Sequence, residues 1–483
     1  MLGPLALGGG ALTLPAFFHD HMVLQRETEA PVFGWARPRA EVTLRASWPG
    51  AKAKAVRAGM DGRFEFTLPT PPAGGPFVLR FESEGERVEL ADVLVGEVWL
   101  ASGQSNMEWT LGPRVGNGVE GWEAAAKDAY DPFLRLFEVE NTMAAEPALD
   151  VRGTWRSATP ESAASFSAVA YFFARELRRE LGVPVGLISA EWGGTPAEAW
   201  TSAAFLQKGG FSEFDLDLAK LARIERERAT VEAEQERERA AYWVRVAEAD
   251  ARHGLAEAAA ENFDVSSWSL VDMPRPWEAH GFADFDGTGW YRRVLSVPAE
   301  WSGQSVVVEL GAIDDRDTFF WNGTRVGGYE DEGQWATPRR YVVPGSLVRG
   351  GANTLAVRVL DTGGYGGFSS GAESLRAFRE AEASATLSLA GPWRFTPSTP
   401  LAEIGWPPSH ELLNPGMPSV LWNGMVAPLV PFALRGVIWY QGEANRERAE
   451  QYERLFPTMI QAWRSAFRRE LFFDFVQIAP FCY

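Results

Sequence analysis

The sequence of 483 residues predicts a multidomain protein in which an α/β domain is preceded by one β-sandwich and interrupted by another. Three observations support this prediction. The chain is longer than a single hydrophobic core normally serves. Strand-like apolar runs alternate with helical periodicity in two separate stretches, 93–264 and 396–483. Short alternating strands punctuated by Gly, Pro and Asp-Gly fill the stretches 13–92 and 265–395.

Composition narrows the classes of function. The net charge of −18 argues against binding to nucleic acids and to anionic membranes. No run is long and apolar enough to span a bilayer. The single cysteine, Cys482, rules out a disulfide or a cysteine zinc site within one chain. Twenty tryptophans fit either sandwich cores or stacking on sugar rings. Residues 1–12 are apolar without a basic region, which favours the tail of a signal peptide or a mis-set start, so we expect a secreted or periplasmic protein.

The first α/β stretch contains a strand at 93–101, a helix from 167 that ends near Gly182, and a buried strand at 185–190. Residues 219–261 are rich in Glu, Arg and Ala, which predicts one or two solvated helices with i,i+4 charge pairs. The second α/β stretch contains a strand at 434–440, a helix at 452–467 and a strand at 471–479. We read 219–261 as part of the first α/β portion, 93–264.

The N-terminal stretch, 13–92, reads as a small antiparallel, immunoglobulin-like sandwich without obvious chemistry, and His19 and His21 are expected in a turn. The stretch 265–395 reads as a jelly-roll sandwich, with Asn322-Gly323 as a two-residue hairpin turn. The glycine-rich segment 363–367 is expected to be a flexible loop. It is not expected to bind phosphate, because it lacks the Gly-Lys-Ser/Thr ending and the strand–helix context of a phosphate-binding loop.

Three loops at predicted strand ends carry polar or glycine motifs, at 103–107, 192–196 and 440–445. An acyl-transfer site needs a nucleophile and donors aimed at the developing oxyanion. Ser105 can attack, and its own N–H, an N–H of Gly193 or Gly194, and the Gln441 amide can form the oxyanion hole. Taken singly, the glycine pair also fits a plain strand–helix turn, and Gln441 fits a buried amide that caps a loop.

Several segments resemble the sialate O-acetylesterase family of the SGNH hydrolases, over nearly the whole chain. They are 19–25, 95–99 with 103–109, 166–173 with 192–200, and 422–429 with 436–445. The resemblance implies a flavodoxin-like three-layer α/β domain with an inserted galactose-binding-like jelly roll at 265–395. It implies a serine esterase that needs no metal or cofactor and removes O-acetyl groups from sugars. The substrate is either an acetylated sialic acid or an acetylated plant polysaccharide such as xylan.

The resemblance also assigns residue roles. Ser105 is the implied nucleophile, and Gly194 and Gln441 are implied oxyanion donors with Gly193 as a neighbouring candidate. The residues implied to shape the site loops are Gln104, Asn106, Glu443 and Asn445.

The catalytic base departs from the family pattern. SGNH hydrolases supply Asp and His from an Asp-x-x-His motif near the C-terminus, and no histidine of this chain falls in a matching place. The five are His19, His21, His253, His280 and His410. Asp250 and His253 match the motif in residue type and spacing, but they lie in the charged helical stretch. We therefore expect a continuation beyond Tyr483 to carry the pair, and this chain to have little activity.

Two other classes of function stay open at this stage. A non-catalytic carbohydrate-binding protein fits the two sandwiches, the many tryptophans and the absent base. A glycoside hydrolase needs two carboxylates that flank a sugar, for which Glu443 with Glu191 or Glu198 is a candidate pair.

Overall fold

The computed structural model describes residues 11–115, 118–214, 218–283, 285–331, 333–409 and 412–479. Residues 1–10, His410 and Cys482, which figure in the sequence analysis, lie outside the described residues. The chain divides into two compact units, Met1–Glu227 with Leu412–Tyr483, and Arg228–Glu411. The first unit mixes helices and strands and the second is mainly strands, so the prediction of a mixed α/β, multidomain protein is confirmed.

The strands of the first unit before residue 228 are β1 (Val23–Gln25), β2 (Glu29–Trp35), β3 (Glu41–Ala46), β4 (Lys54–Arg57), β5 (Arg63–Pro69), β6 (Gly74–Ser83), β7 (Glu86–Gly103), β8 (Asp131–Glu138), β9 (Trp155–Ala158) and β10 (Val185–Glu191). The strands of the second unit are β11 (Ser269–Met273), β12 (Gly287–Val297), β13 (Val306–Asp314), β14 (Arg316–Trp321), β15 (Thr324–Tyr329), β16 (Pro338–Val343), β17 (Gly351–Asp361), β18 (Gly367–Phe368), β19 (Leu375–Arg379), β20 (Glu382–Ser388) and β21 (Gly391–Pro400). The first unit resumes with β22 (Gly436–Tyr440) and β23 (Phe472–Phe475).

The α-helices are α1 (Ser105–Glu108), α2 (Trp122–Lys127), α3 (Pro160–Ala164), α4 (Ala168–Leu181), α5 (Ala203–Lys208), α6 (Leu218–Arg252), α7 (Leu401–Ile404) and α8 (Ala449–Phe467). Short 3-10 turns and one π-turn lie at Ala197–Trp200, Trp277–His280, Ala299–Trp301, Gly345–Leu347, Ala372–Ser374, Trp422–Val426, Ala427–Leu429 and Glu443–Arg448. Among the described helices, none is long and apolar enough to cross a membrane.

The first unit is built on a parallel sheet with the strand order β8-β10-β7-β22-β23. Residues 93–103 of β7 are all buried, as expected for a central parallel strand covered on both faces. Successive residues point to opposite faces: Leu100 packs in a core with α8, whereas Ala101 packs in a second core with α4. The sheet therefore lies between two helical layers.

The order of the parallel strands differs from the flavodoxin-like order. Numbered along the chain, the strands β7, β8, β10, β22 and β23 lie in the order 2-3-1-4-5. The flavodoxin-like order is 2-1-3-4-5. The difference arises because β7 lies between β10 and β22, whereas the flavodoxin-like order would place it between β8 and β10. The three-layer arrangement is thus present with another strand order.

Strand β7 belongs to two pairing patterns. Its first half pairs antiparallel with β6, which continues into β3 and β4, and its second half pairs parallel with β10 and β22. One sheet therefore runs through the predicted boundary between residues 92 and 93. Strands β2 and β5 form a separate antiparallel pair. The predicted domain boundaries remain predictions.

Short sequence motifs predicted the ends of a helix and a hairpin turn correctly. Helix α4 begins after Ser167, whose Oγ accepts the Ala170 N–H at 3.2 Å, and it ends at Gly182, which adopts a left-handed φ of 64°. In the second unit Asn322 and Gly323 have φ values of 48° and 79° and join β14 to β15, as the hairpin signal predicts. Strand β23 covers only four residues of the predicted 471–479.

The second unit is organised around two antiparallel sheets. One has the order β11-β21-β12-β17-β14-β15 and the other the order β16-β13-β19-β20. Side chains from both, such as Tyr291, Val357 and Val308, share one apolar core. This is the arrangement of a β-sandwich.

Candidate active site

Ser105 is the first residue of α1, directly after the carboxyl end of β7. The turn depends on Gly103, whose φ is 145° and at which an added Cβ would lie 2.1 Å from the Tyr440 carbonyl oxygen. Only glycine can adopt this conformation so close to the neighbouring strand. The turn leaves Ser105 exposed, and its N–H has no acceptor within the helical turn.

The loop after β22 is tied to this turn by side chains. Buried Gln104 accepts the N–H groups of Gly442 and Ala444 through Oε1, at 3.3 and 3.1 Å. Asn106 Nδ2 donates to Glu443 Oε1 at 2.7 Å. The predicted loop residues Gln104, Asn106 and Glu443 therefore join the first and third loops.

The two glycines after β10 have different partners. The Gly194 N–H donates to Ser105 Oγ at 3.2 Å. The Gly193 N–H donates to Glu108 Oε2 at 2.8 Å instead. Gly194 has a left-handed φ of 74°, a conformation that glycine adopts without strain. Of the two candidate donors, Gly194 is therefore the one whose N–H donates to Ser105 Oγ.

Gln441 lies in the third loop but its amide is used within the protein. It is 3% exposed, and Nε2 donates to Asn445 Oδ1 at 2.6 Å and to the Thr195 carbonyl at 3.2 Å. Its Oε1 accepts from the Tyr452 hydroxyl at 3.0 Å. Both amide hydrogens thus have acceptors, and the side chain braces the second loop against the third.

Asn445 continues this brace. Its Oδ1 accepts the Ala197 N–H at 2.9 Å and its Nδ2 donates to Glu198 at 2.9 Å. Glu198 is 3% exposed and also accepts from Arg448 at 2.6 Å. Because Glu198 is buried and paired, its role is structural, which argues against the glycosidase pairing of Glu443 with Glu198.

Glu108 is a residue of the site to which the sequence alone assigns no role. Its Oε2 holds the Gly193 N–H, and its Oε1 accepts from Asn141 Nδ2 at 3.4 Å. A Cβ added at Gly193 would lie 2.6 Å from Glu108 Oε2 and 3.3 Å from Ser105 Oγ, so both side chains face the same small space. The spacing of three residues from Ser105 on a helical turn was the available signal.

A cavity of about 460 Å³ lies at the ends of β8 and β10, with Glu108 in its wall. The charged residues that line it are Glu108, Arg114, Glu138, Glu140, Arg156 and Glu191. Burial raises the pKa of Glu191 to about 8, partly opposed by a hydrogen bond of 2.6 Å from Ser189 and reinforced by the charges of Glu138 and Glu108. Glu191 is therefore mostly protonated at neutral pH.

The histidines among the described residues were the candidates for the catalytic base. None of them forms a hydrogen bond with Ser105 in the described part of the chain. His21 Nδ1 lies 2.6 Å from Asp92, and exposed His253 lies 2.9 Å from Glu403. His280 Nε2 is buried and has no hydrogen-bond partner among the described residues, and burial lowers the pKa of this ring.

Asp250 of the Asp-x-x-His match is a structural residue. It is 2% exposed and accepts from Thr288 Oγ1 at 3.1 Å, Ser398 Oγ at 2.6 Å and Trp290 Nε1 at 3.2 Å. The carboxylate fastens α6 to the sandwich of the second unit, and no side-chain bond joins it to His253. Within the described ranges, no three or more His, Cys, Asp or Glu residues are grouped to hold a metal ion.

Comparison with curated proteins finds sialate O-acetylesterases. The protein from Pongo abelii is 33% identical over 212 aligned residues, and the match covers 40% of this chain and 40% of that protein. The protein from Homo sapiens is 32% identical over 209 residues, with the same shares. Over the matched region this chain is similar to sialate O-acetylesterases. The matched region is less than half the length of these relatives, and no protein-family model matches the chain.

A solved structure extends the likeness along the chain. A carbohydrate acetylesterase from Xanthomonas citri is 24% identical, with a TM-score of 0.50. The match covers 97% of this chain and 60% of that one. At this identity the likeness concerns the fold alone, and it agrees with a mixed α/β architecture.

Proposed function

We propose that this protein is a carbohydrate O-acetylesterase that works through Ser105. The observation that carries the proposal is the 3.2 Å contact between the Gly194 N–H and Ser105 Oγ at the carboxyl edge of a parallel sheet. In open α/β sheets, ligands bind at the carboxyl ends of the strands. They bind next to the strand on either side of which the chain adds its later strands, the topological switch point. Here that strand is β7, which delivers Ser105.

In the proposed reaction, Ser105 Oγ attacks the carbonyl carbon of the acetyl ester while a base takes its proton. The carbonyl oxygen becomes an oxyanion, to which the N–H groups of Gly194 and Ser105 donate. Collapse breaks the bond to the sugar oxygen, which leaves with a proton as an alcohol. Water then attacks the acetyl-serine and releases acetate. No base is assigned among the described residues.

The other predicted site residues take supporting roles in this proposal. Gln441 and Asn445 fix the third loop against the second, and Gln104, Asn106 and Glu443 fix it against the first. The Gly193 N–H donates to Glu108 Oε2, so it is not assigned to the oxyanion. A single backbone donor from the second loop is therefore expected to act together with the serine's own N–H.

We also propose the finer fold assignment, an SGNH-type hydrolase domain interrupted by a jelly roll. The three layers around β7 and the two antiparallel sheets of the second unit support it. The strand order 2-3-1-4-5 is a specific difference from the flavodoxin-like order. Secretion or a periplasmic location is proposed from the apolar residues 1–12.

The test is acetate release from O-acetylated sugars by the wild-type chain and by Ser105→Ala. Imidazole is titrated into the assay, since a small diffusible base can take the serine's proton when no side chain does. Above the background of imidazole alone, we expect release that Ser105→Ala abolishes. Ser202→Ala, a serine before α5 whose side chain caps nothing, is the matched control and keeps the release.

Equal release by wild type and Ser105→Ala would contradict the proposal. Binding of the sugar with no release at any imidazole concentration would favour a non-catalytic carbohydrate-binding protein instead.

A further inference from the structure

The second loop is tied to the protein on both sides of its glycine pair. Before the pair, the Trp192 N–H donates to the Gly103 carbonyl at 3.2 Å. After the pair, the Thr195 hydroxyl donates to the Trp192 carbonyl at 2.7 Å. Gly193 and Gly194 carry no side chains, and glycine has more backbone freedom than any other residue. The direction of the amides in the middle of the loop therefore depends on a further contact.

Glu108 supplies that contact. Its Oε2 accepts the Gly193 N–H at 2.8 Å, and the next N–H along the chain, that of Gly194, donates to Ser105 Oγ at 3.2 Å. Two consecutive amides of the loop thus donate to two side chains of the same short helix, α1. The bond to Glu108 is the stronger kind, because a hydrogen bond to an ionised group is about twice as strong as a neutral one.

The carboxylate of Glu108 is also held from its other side. Oε1 accepts from Asn141 Nδ2 at 3.4 Å, in the segment that follows β8. A Cβ added at Gly193 would lie 2.6 Å from Glu108 Oε2, which is closer than such atoms pack, so the contact in this geometry requires a glycine. The pair therefore combines a long acceptor side chain on α1 with a loop residue that leaves room for it.

We infer that Glu108 is a positioning residue of the proposed esterase, which fixes the second loop so that the Gly194 N–H stays directed at Ser105. The inference rests on the proposed function. An oxyanion donor is effective when it already points to the place where charge develops, because no reorganisation is then needed during the reaction. Glu108 acts in this account through the backbone of Gly193, and what the loop requires from it is an acceptor rather than a charge.

Three substitutions of Glu108 separate the acceptor from the charge. Glu108→Gln keeps an acceptor oxygen on a side chain of the same length and removes the charge. Glu108→Asp keeps the charge on a side chain that is one methylene shorter, and Glu108→Ala removes both. Glu123→Ala, which changes an exposed glutamate on α2, is the matched control.

The first readout is acetate release at one fixed imidazole concentration, over a range of O-acetylated sugar concentrations. For Glu108→Ala and Glu108→Asp we expect kcat to fall about 10- to 100-fold and KM to change less than about threefold, because a misplaced donor weakens the transition state more than substrate binding. Glu108→Gln is expected to recover most of the kcat that Glu108→Ala loses. Glu123→Ala should match the wild type.

The second readout follows the loop without ester cleavage. It is the rate of deuterium uptake by the backbone amides of residues 192–196, measured by mass spectrometry. Glu108→Ala is expected to speed this uptake, because an amide that loses its acceptor exchanges more readily. Glu108→Gln is expected to restore the slower uptake of the wild type.

A kcat of Glu108→Ala equal to that of the wild type would overturn the inference. A loss in Glu108→Gln as large as in Glu108→Ala would also overturn it, since the charge rather than the acceptor would then be what matters. If the wild-type chain releases no acetate, the proposed function fails and deuterium uptake decides the inference alone. Equal uptake by wild type and Glu108→Ala would then overturn it, whereas faster uptake in Glu108→Ala that Glu108→Gln reverses would support it.

Discussion

At the residue scale, the candidate site depends on the partner that each polar atom of the three loops finds. Ser105 and Gly194 follow predicted strands, and the structure brings them within 3.2 Å. Gln441 was expected to donate to the oxyanion, yet Asn445 and Thr195 take both of its amide hydrogens. Which acceptor an amide finds depends on contacts between residues distant in the sequence, here 246 apart for Gln441 and Thr195.

Glu191 gives a prediction at this scale. The pKa of a free glutamate is near 4.5 and burial raises that of Glu191 to about 8 in the folded chain. The folded state therefore holds more protons between these values, so this group makes the free energy of unfolding fall as pH rises from about 5 to 8. The slope from one such group is at most about 1.4 kcal/mol per pH unit.

Urea unfolding of wild type and Glu191→Gln at pH 5, 6, 7 and 8 measures this slope. The wild type is expected to lose more stability across the range than Glu191→Gln, because an amide cannot ionise. Glu176→Gln, an exposed change on α4, should follow the wild type. Parallel pH curves for wild type and Glu191→Gln would show that Glu191 ionises normally in the folded chain.

At the element scale, what is local in the sequence was predictable. A capping serine and a left-handed glycine bound α4, and Asn322-Gly323 turns the hairpin, since each acts within a few residues. The position of β7 between β10 and β22, with β8 beyond β10, was not predictable, because it is decided by packing across the whole sheet. For the same reason the predicted boundary at residues 92 and 93 fell inside one continuous strand.

Helix α6 gives the prediction at this scale. Asp250→Ala removes the acceptor of Thr288, Ser398 and Trp290 and leaves the buried Arg358, 3.6 Å away, without its carboxylate. Removing one partner of a buried pair costs about 3–5 kcal/mol. We therefore expect a large loss of stability in urea unfolding, followed by fluorescence.

His253→Ala is the control from the same motif. Its ring and Glu403 are both substantially exposed, and exposed pairs contribute about 0–1 kcal/mol. A large loss in both variants, or in neither, would contradict the role of Asp250 as an anchor for the helix.

At the scale of the whole molecule, composition and element order sufficed to predict a multidomain α/β protein, and the described architecture agrees with it. The first and third loops of the candidate site lie more than 300 positions apart, as the bond between Asn106 and Glu443 illustrates. They meet because parallel strands deliver their carboxyl ends to one edge. The cavity beside them was not foreseeable, since its wall combines β8, β9, β10 and α1.

The central claim is that Ser105 carries the acetyl group during turnover, and mass spectrometry tests it most directly. The chain is incubated with an activated acetyl ester, quenched in acid and digested, and the peptide containing Ser105 is examined for the added mass of one acetyl group. Acetyl-Ser105 in the wild type and none in Ser105→Ala is the predicted result. Acetate release with no acetyl on Ser105, or with acetyl on another residue, would contradict the account.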